Sequence, residues 1–191
     1  MIPEKQYPQA RTALIIGRGG DVWEEVKQAQ LLTEFDTILV VGSTGVDCPL
    51  PCQHWVTFHA ELFEPWTLKR RENGYPEIPN YWASTYMGGL RRVTRSRIAY
   101  DTIFSEGGSS GMIVVQVARE RLGAQKIVLA GVPMTIEGGQ YDTGRLWAEA
   151  LAYRDVWERK RDYLKTFVRS LSGWTREQFG EPTLEWLHAE G

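Results

Sequence analysis

Residues 13–26, ALIIGRGGDVWEEV, decide the fold class of this chain. The run Ala13–Ile16 is apolar throughout and stops at a glycine-rich turn, and from Asp21 onward the apolar residues recur at helical spacing. This order predicts a strand, a tight turn and a helix, with Asp21 as the helix N-cap and Glu24 completing a capping box. A strand that is apolar at every position is typical of a parallel sheet covered by helices on both faces.

Two further runs repeat this strand pattern, Thr37–Val41 and Lys126–Ala130. Each is followed directly by glycine, as Ala13–Ile16 is. We predict that these three strands are parallel neighbours in one central sheet of a three-layer α/β fold. Shorter candidates for strands are Trp55–Phe58 and a segment within Ile98–Phe104.

The whole chain, 1–191, is predicted to form a single domain, because 191 residues suit one hydrophobic core and no stretch has the composition of a linker. Prolines and mixed polarity make residues 65–95 an expected irregular insert or lid. Apolar residues at helical spacing across 143–170 predict one long amphipathic helix or two stacked ones. The C-terminal segment, 143–191, is therefore expected to be helical and to end in an aromatic tail. This tail is expected to pack back on the domain or across a homodimer interface, through Trp174, Phe179 and Trp186.

Composition excludes several classes of protein. With 42% hydrophobic and 24% charged residues, the chain is neither disordered nor collagen-like. The formal net charge of -2 gives no general attraction to nucleic acid, so no nucleic-acid partner is expected. No apolar run approaches the ~20 residues that span a bilayer, and the start lacks the pattern of a signal peptide. Two cysteines cannot build a disulfide framework, and together these features predict a cytoplasmic protein without a membrane partner.

The glycine turns after the strands are the candidate ligand site, because the carboxyl ends of parallel strands meet at one edge of the sheet. In the loop 107–111, glycines let the backbone approach an anion, two serine hydroxyls can donate to it, and the following helix presents its N-terminal N–H groups. The alternative interpretation is an ordinary strand-to-helix turn. Arg18 places a fixed cation in the first turn, where it can pair with a phosphate in bidentate fashion. The predicted ligand-binding residues are Gly17, Arg18, Gly19, Gly42, Ser43, Ser109, Ser110 and Gly111.

Two stretches, Ile15–Gly19 and Ser109–Val132, carry a resemblance to a known family. The loop of small residues, the helix, Gly123, Lys126, the strand and Gly131 resemble the signature of the MptE-like (6-hydroxymethylpterin diphosphokinase-like) proteins and the related bacterial sialyltransferases. The resemblance implies a Rossmann-like nucleotide-binding domain. In the sialyltransferase branch it implies a site for a CMP-sugar donor, formed by the first turn and the serine loop.

The chain departs from this family at positions that bear on catalysis. Arg18 stands where the relatives usually have Asn, and Pro133 stands where they usually have Asp. The sialyltransferases use a His downstream of the last of these strands as general base, whereas His188 is the one histidine here beyond His59. A proton acceptor matched to neutral pH is needed for attack by a sugar hydroxyl. The candidates for this catalytic role are His59, Glu137 and Asp142.

Other clusters give weaker indications. Cys48, Cys52, His54 and His59 lie close in sequence, but their spacing is not that of a structural zinc site, so no metal site is predicted. No cofactor is indicated with certainty, and a divalent cation such as Mg²⁺ is the one that a nucleotide would bring. Arg91 and Arg95 would share a helix face, where they could either be solvated or clamp an anionic ligand.

The sequence therefore favours a protein that binds a nucleotide or nucleotide-sugar, in the manner of a glycosyltransferase-like or diphosphokinase-like transferase. A non-catalytic module that sequesters a nucleotide signal would show the same glycine edge and the same Arg18. A structural protein that retains a vestigial nucleotide fold is the third alternative, since this fold hosts many functions.

Overall fold

The computed structural model describes residues 6–84, 86–87, 90–91, 96–105 and 107–189. Arg95, one of the two arginines predicted to share a helix face, lies outside these residues, as do 85, 88–89 and 92–95 of the predicted lid. The strands are β1 (Thr12–Ile16), β2 (Thr37–Val41), β3 (His54–Thr57), β4 (Asn80–Ser84), β5 (Tyr86–Met87), β6 (Leu90–Arg91), β7 (Asp101–Ile103), β8 (Lys126–Ala130) and β9 (Val168–Ser170).

Seven of these strands form one sheet in the order β7-β4-β3-β2-β1-β8-β9, and every neighbouring pair is parallel. In the register, Ile15 lies opposite Leu39 of β2 and Leu129 of β8. The prediction that β1, β2 and β8 are parallel neighbours is thus confirmed. The strands β5 and β6 form a separate antiparallel pair.

The helices connect the strands and cover the sheet. They are α1 (Val22–Leu32), α2 (Thr44–Asp47), α3 (Phe63–Glu72), α4 (Ser110–Gln116), α5 (Ala150–Arg159), α6 (Arg161–Leu164), α7 (Gly173–Phe179) and α8 (Leu184–His188). A 3₁₀ turn, Ala60–Leu62, precedes α3, and a π-helical turn, Val117–Arg121, continues α4. Gly123 follows that turn with a φ of 69°, which is the left-handed conformation expected of a helix-ending glycine.

Both faces of the sheet are buried. Along β1, Ile15 packs in a core with residues of α4 and with Trp157 of α5, whereas Leu14 and Ile16 pack in a second core with α1 and Phe63. Successive side chains of a strand point to opposite faces, so a strand that is apolar at every position supplies both cores. The three-layer Rossmann-like α/β architecture is therefore confirmed. Among the described residues, no helix has the length and apolar content needed to cross a membrane.

The prediction of an irregular insert over 65–95 is wrong for its first part. Helix α3 continues to Glu72, and β4 adds a strand to the sheet beside β3. Pro65 is tolerated because it lies in the first turn of α3, where its missing N–H has no intrahelical partner. Pro76 and Pro79 lie in the connection between α3 and β4, outside both elements.

The C-terminal segment is mainly helical, but the helix predicted over 143–170 begins only at Ala150 and gives way to β9. Val168 of β9 pairs with Ile127 at the edge of the sheet. The adjacent residues Phe167 and Val168 are both buried, and their positions in the sequence also fit the apolar face of a helix, which explains the prediction. The aromatic tail packs back on the same domain, where Trp174 and Phe179 join the core with Trp157. These buried side chains match the first of the two arrangements expected for the tail.

The order of the strands creates a crevice at one end of the sheet. From β1 the chain adds β2, β3, β4 and β7 on one side, and then crosses back to place β8 on the other side. The chain leaves β1 toward β2 and leaves β8 toward β9, in opposite directions along the sheet. A crevice therefore forms between the two connections, at the carboxyl ends of β1 and β8. The crossing segment contains α4, which packs over β2 and β3.

Candidate functional site

A cavity of about 500 Å³ opens at the carboxyl edge of the sheet, at this point of reversal. It is lined by the turns after β1, β2, β3 and β8 and by the start of α4. All eight residues predicted to bind a ligand line this cavity, and so does His59. The topology therefore brings together segments that lie more than ninety residues apart in the chain, from Gly17 to Gly111.

The turns after β1 and β8 are fastened to each other. The Gly17 N–H donates to the carbonyl of Ala130 at 2.7 Å, and the Gly19 N–H donates to the carbonyl of Gly131 at 2.8 Å. A Cβ atom on Gly17 would clash with the Gly131 carbonyl, and one on Gly131, where φ is 66°, would lie 2.6 Å from Val22. These glycines thus allow two backbones to touch, and the N–H groups of Gly17 and Gly19 are used inside the protein.

A buried carboxylate, that of Glu25, accepts a hydrogen bond from the turn after β8. Glu25 of α1 is 6% exposed, and its Oε2 accepts the Gly131 N–H at 2.8 Å. Burial raises the pKa of Glu25 above its ordinary value, although the hydrogen bond from Gly131 acts in the opposite direction. The charged form of Glu25 therefore destabilises the fold relative to the protonated form.

The start of α4 forms the opposite wall of the cavity. Ser109 is the N-cap residue by position, but its hydroxyl contacts the sulfur of Met134 at 3.9 Å and makes no capping bond. The hydroxyl of Ser110 accepts the N–H of Phe58 at 3.3 Å, which ties α4 to the end of β3. A hydroxyl that accepts one hydrogen bond keeps its own proton as a donor. Ser110 can thus donate to a ligand in the cavity.

Arg18 and Asp142, predicted to play separate roles, form an ion pair with each other. The Arg18 Nε lies 2.9 and 3.0 Å from the two carboxylate oxygens, and its Nη2 lies 2.6 Å from Oδ2. The Ser43 hydroxyl donates to the same Oδ2 at 3.5 Å. The charge of Arg18 is balanced by Asp142, so the cavity wall carries a neutral pair at this point.

The three candidate proton acceptors have different surroundings. His59 lines the cavity, and its Nδ1 lies 3.1 Å from Oε1 of Glu61. Asp142 is not itself a lining residue, and it is joined to the cavity wall by its pair with Arg18 and by the hydroxyl of Ser43. Glu137 is exposed and lies outside the cavity lining. Of the three side chains, only that of His59 is both at the cavity and oriented by a carboxylate.

Sequence reasoning missed the aromatic part of the cavity. Trp66 stacks on Trp55 with ring centroids 6.0 Å apart, and Trp147 lies 5.7 Å from the ring of Tyr153. Three of these four rings, those of Trp66, Trp147 and Tyr153, line the cavity. They come from α3, from the irregular chain before α5 and from α5 itself, so no strand-end motif marks them. The high number of tryptophans, eight in the chain, is the one signal of this aromatic lining that the sequence carries.

Met134 is a second feature that the sequence did not reveal. It is fully buried, it lines the cavity, and its φ of 51° is left-handed although it is not glycine. The Arg154 Nε donates to its carbonyl at 2.8 Å and holds this conformation. The chain after β8 is thus fixed where it forms the cavity wall.

The cysteines and histidines considered for zinc do not form a metal site. Cys48 and Cys52 contact each other, and the Nδ1 of His54 accepts the indole N–H of Trp82 at 3.1 Å. Within the described part of the chain, no group of three or more His, Cys, Asp or Glu side chains is arranged to hold a metal ion.

No protein-family model, no curated protein and no solved structure matches this chain. The resemblance read from Ile15–Gly19 and Ser109–Val132 therefore stays a prediction. What can be stated directly is an α/β fold with a parallel sheet and a lined cavity at its carboxyl edge.

Proposed function

We propose that this chain binds a nucleotide or nucleotide-sugar in the carboxyl-edge cavity and acts as a transferase on it. The observation that carries the proposal is the cavity itself, which lies where the strand order reverses and is bordered by the loop that opens α4. Open parallel sheets bind their ligands at this point. A volume of about 500 Å³ suits a small organic ligand.

The position of Ser110 favours a ligand with an anionic group at one end. The hydroxyl proton of Ser110 and the backbone N–H groups of Ser110 and Gly111 are donors on the same wall of the cavity, whereas the N–H groups of Met112 and Ile113 bond the Ser109 carbonyl. A phosphate accepts several such bonds at once. We therefore assign the phosphate end of the ligand to the wall formed by Ser109, Ser110 and Gly111.

The Arg18–Asp142 pair supports a second contact to phosphate. The guanidinium binds the carboxylate through two nitrogen atoms, and a phosphate offers the same two-oxygen geometry. A ligand phosphate that takes the place of Asp142 keeps the charge of Arg18 balanced. In this proposal Asp142 positions Arg18 and competes with the ligand, and it does not act as the base.

The flat rings support a planar or sugar group at the other end. Trp66 is held by its stack on Trp55, and Trp147 is packed with Tyr153. Rings fixed in this way offer apolar faces for a base or a sugar, and stacking of one base on an aromatic ring is worth about 1–3 kcal/mol. A nucleotide-sugar has both the phosphate and the flat or apolar parts that such a cavity favours.

His59 supports the assignment as an enzyme. A neutral imidazole that donates its Nδ1 proton to the Glu61 carboxylate, 3.1 Å away, presents Nε2 as the nitrogen that accepts a proton. A histidine oriented by a carboxylate is the common arrangement for removing a proton from an attacking hydroxyl. We assign this role to His59 and a positioning role to Glu61.

One observation favours the non-catalytic alternative. Both oxygens of Asp142 are bound by Arg18, and Glu137 lies away from the cavity, so His59 alone remains of the three predicted bases. A protein that sequesters a nucleotide needs none of them. In either case the proposal includes a cytoplasmic location, a small-molecule ligand and any Mg²⁺ arriving with its phosphates.

The binding proposal is tested by thermal denaturation of the full chain with nucleoside phosphates, nucleotide-sugars and cyclic dinucleotides. A ligand at about 100 times its Kd adds about 2.7 kcal/mol to the free energy of unfolding. Ser110→Ala is expected to weaken binding of that ligand by about 1–3 kcal/mol. The matched control is Ser96→Ala, because Ser96 bonds the Ile98 N–H outside the cavity lining. The absence of any stabilising nucleotide, or equal binding by the two variants, contradicts the proposal.

The catalytic assignment is tested by recovering the stabilising ligand after incubation with the protein and a cell extract, using mass spectrometry. His59→Gln is expected to lower conversion by about 10²–10⁴-fold and to leave the thermal shift intact. His188→Gln, at an exposed position near the C-terminus, is the control and should convert ligand normally. A ligand that is bound by the native chain and recovered unchanged, with no acceptor modified, favours the sequestering function.

A further inference from the structure

Cys48 and Cys52 are the only two cysteines of the chain, and neither lines the cavity. Their Sγ atoms lie 3.3 Å apart, and one thiol donates a hydrogen bond to the other. Three residues, Pro49-Leu50-Pro51, separate them. We propose that Cys48 and Cys52 are a redox-modification site, which a peroxide closes to an intrachain disulfide and a dithiol reductant reopens.

The geometry requires little movement of the chain. A disulfide holds its sulfurs about 2.05 Å apart, so the two atoms must approach by little more than ~1 Å. Cys48 directly follows α2 and Cys52 precedes β3, so the bond closes across irregular backbone. Both thiols are buried, but Pro49 and Pro51 between them are exposed, so the pair lies under a surface loop. In this proposal a small opening of this loop admits small molecules, both a peroxide and a dithiol reductant.

The surroundings favour a thiolate on one of the two sulfurs. The buried Arg70 guanidinium donates to the carbonyls of Cys48 and Gly45 at 2.7 and 2.6 Å, and all its hydrogen bonds to described residues go to carbonyl oxygens. The hydrogen bond from Cys52 places the pKa of Cys48 below its usual value, and Arg70 acts in the same direction. The pKa of Cys52 is raised, because its proton is held between the two sulfurs and it is buried. Since the thiolate is the nucleophile, Cys48 is the attacking residue and Cys52 the resolving one.

The reaction balances with peroxide as the oxidant. The Cys48 thiolate attacks one peroxide oxygen, the O–O bond breaks, and the leaving hydroxide takes up a proton as water while a sulfenic acid forms on Cys48. The Cys52 sulfur then attacks the Cys48 sulfur, the S–O bond breaks, and a second water leaves with the Cys52 proton. Two thiols and one hydrogen peroxide give one disulfide and two waters.

The pair is linked to the cavity through its neighbour in sequence. Asp47, next to Cys48, accepts the Tyr141 hydroxyl at 2.9 Å, and the Tyr141 N–H donates to the Arg18 carbonyl at 3.2 Å. In this proposal, closing the disulfide moves Cys48, and the movement is transmitted through Asp47 and Tyr141 to Arg18. If the nucleotide site proposed above is correct, oxidation also changes ligand affinity, but the redox reaction itself does not depend on that proposal.

The test treats the native full chain with hydrogen peroxide and counts its thiols. We expect the count to fall from two to none, the mass to fall by about 2 Da, and dithiothreitol to restore both. Both cysteines lie in one tryptic peptide, residues 28–69, in which the loss of mass is located. On a non-reducing gel the oxidised chain should run as a monomer.

Two conservative variants establish the order of events. Cys52→Ser should stop at the sulfenic acid on Cys48, which dimedone traps, while Cys48→Ser should react more slowly with peroxide than the native chain. The inference is overturned if the folded chain keeps both thiols at a peroxide concentration that oxidises the urea-unfolded chain. It is also overturned if the products are disulfide-linked dimers or sulfinic acids.

Discussion

Replacing Arg70 by Met removes a buried side chain that bonds several loops behind the cavity to one another. Arg70 is 1% exposed, and its guanidinium donates to the carbonyls of Gly45, Cys48 and Pro76 at 2.6, 2.7 and 2.6 Å. These carbonyls belong to α2, to the residue after it, and to the connection that leads into β4. Methionine fills much of the same space but leaves the three oxygens without this donor.

The expected loss of stability follows from these three contacts. Each buried carbonyl left without a donor costs about 1–3 kcal/mol, and part of that cost is offset because a cation no longer has to be buried. We therefore expect Arg70→Met to lower the free energy of unfolding by about 3–5 kcal/mol. Such a loss is a large share of the ~5–15 kcal/mol that stabilises a typical domain.

The assay is urea denaturation followed by tryptophan fluorescence, with Arg71→Met as the control. Arg71 is the next residue of the same helix, but it is 63% exposed and pairs with an exposed Glu77. Exposed ion pairs contribute about 0–1 kcal/mol, so the control should unfold almost as the native chain does. If the two variants differ by less than about 1 kcal/mol, the carbonyl contacts of Arg70 do not stabilise the fold, and this reasoning is refuted.

Three further predictions concern the cavity. Gly17→Ala should lower the free energy of unfolding by about 1–3 kcal/mol in urea denaturation, because its Cβ meets the Gly131 carbonyl; an unchanged midpoint would show that the two turns can separate freely. The pKa of Glu25 is raised in the folded chain, so folding favours the protonated carboxyl. The resulting contribution to stability is fully present below the ordinary Glu pKa, and it is lost as the pH rises through the raised pKa. Glu25→Gln should therefore raise the Tm more at about pH 8 than at about pH 4, and a gain independent of pH would contradict this. Asp142→Asn should change stability by less than about 1 kcal/mol, since the pair with Arg18 is partly exposed, and should strengthen binding of a phosphate-bearing ligand in calorimetry; weaker binding would mean that Asp142 itself contacts the ligand.

The centre of the sheet could be predicted from the sequence because the central strands β1, β2 and β8 are apolar at every position after the first. β1 and β8 are buried at every position and β2 at three of its five positions, and runs of buried apolar residues leave few alternatives to a central strand. The strands β4 and β9 lie toward the two sides of the sheet and mix polar with apolar residues. The prolines near β4 therefore predicted an irregular insert, and the helical spacing of apolar residues around β9 predicted a helix.

The strand-end part of the cavity lining could be predicted, but its aromatic part and the contacts within it could not. Turns that follow parallel strands must meet at one edge, so Gly17, Ser43 and Ser110 were expected together. The pairing of Arg18 with Asp142 joins residues 124 positions apart, and nothing in either local sequence specifies it. The same holds for Gly17 and Gly131. Gly17 was predicted to contact a ligand, whereas the structure shows that both glycines allow the close approach of two backbones.

The central claim is that the carboxyl-edge cavity binds a nucleotide or nucleotide-sugar, and NMR of the ¹⁵N-labelled chain tests it most directly. The labelled chain is titrated with the nucleotide that stabilises it most in thermal denaturation, and the amide shifts are followed residue by residue. We predict saturable shifts concentrated at Arg18, Ser43, Ser110 and Gly111, with the amides of α7 and α8 unchanged. Shifts that lie mainly on α7 and α8, or the absence of saturable shifts with every nucleotide tried, would contradict the claim.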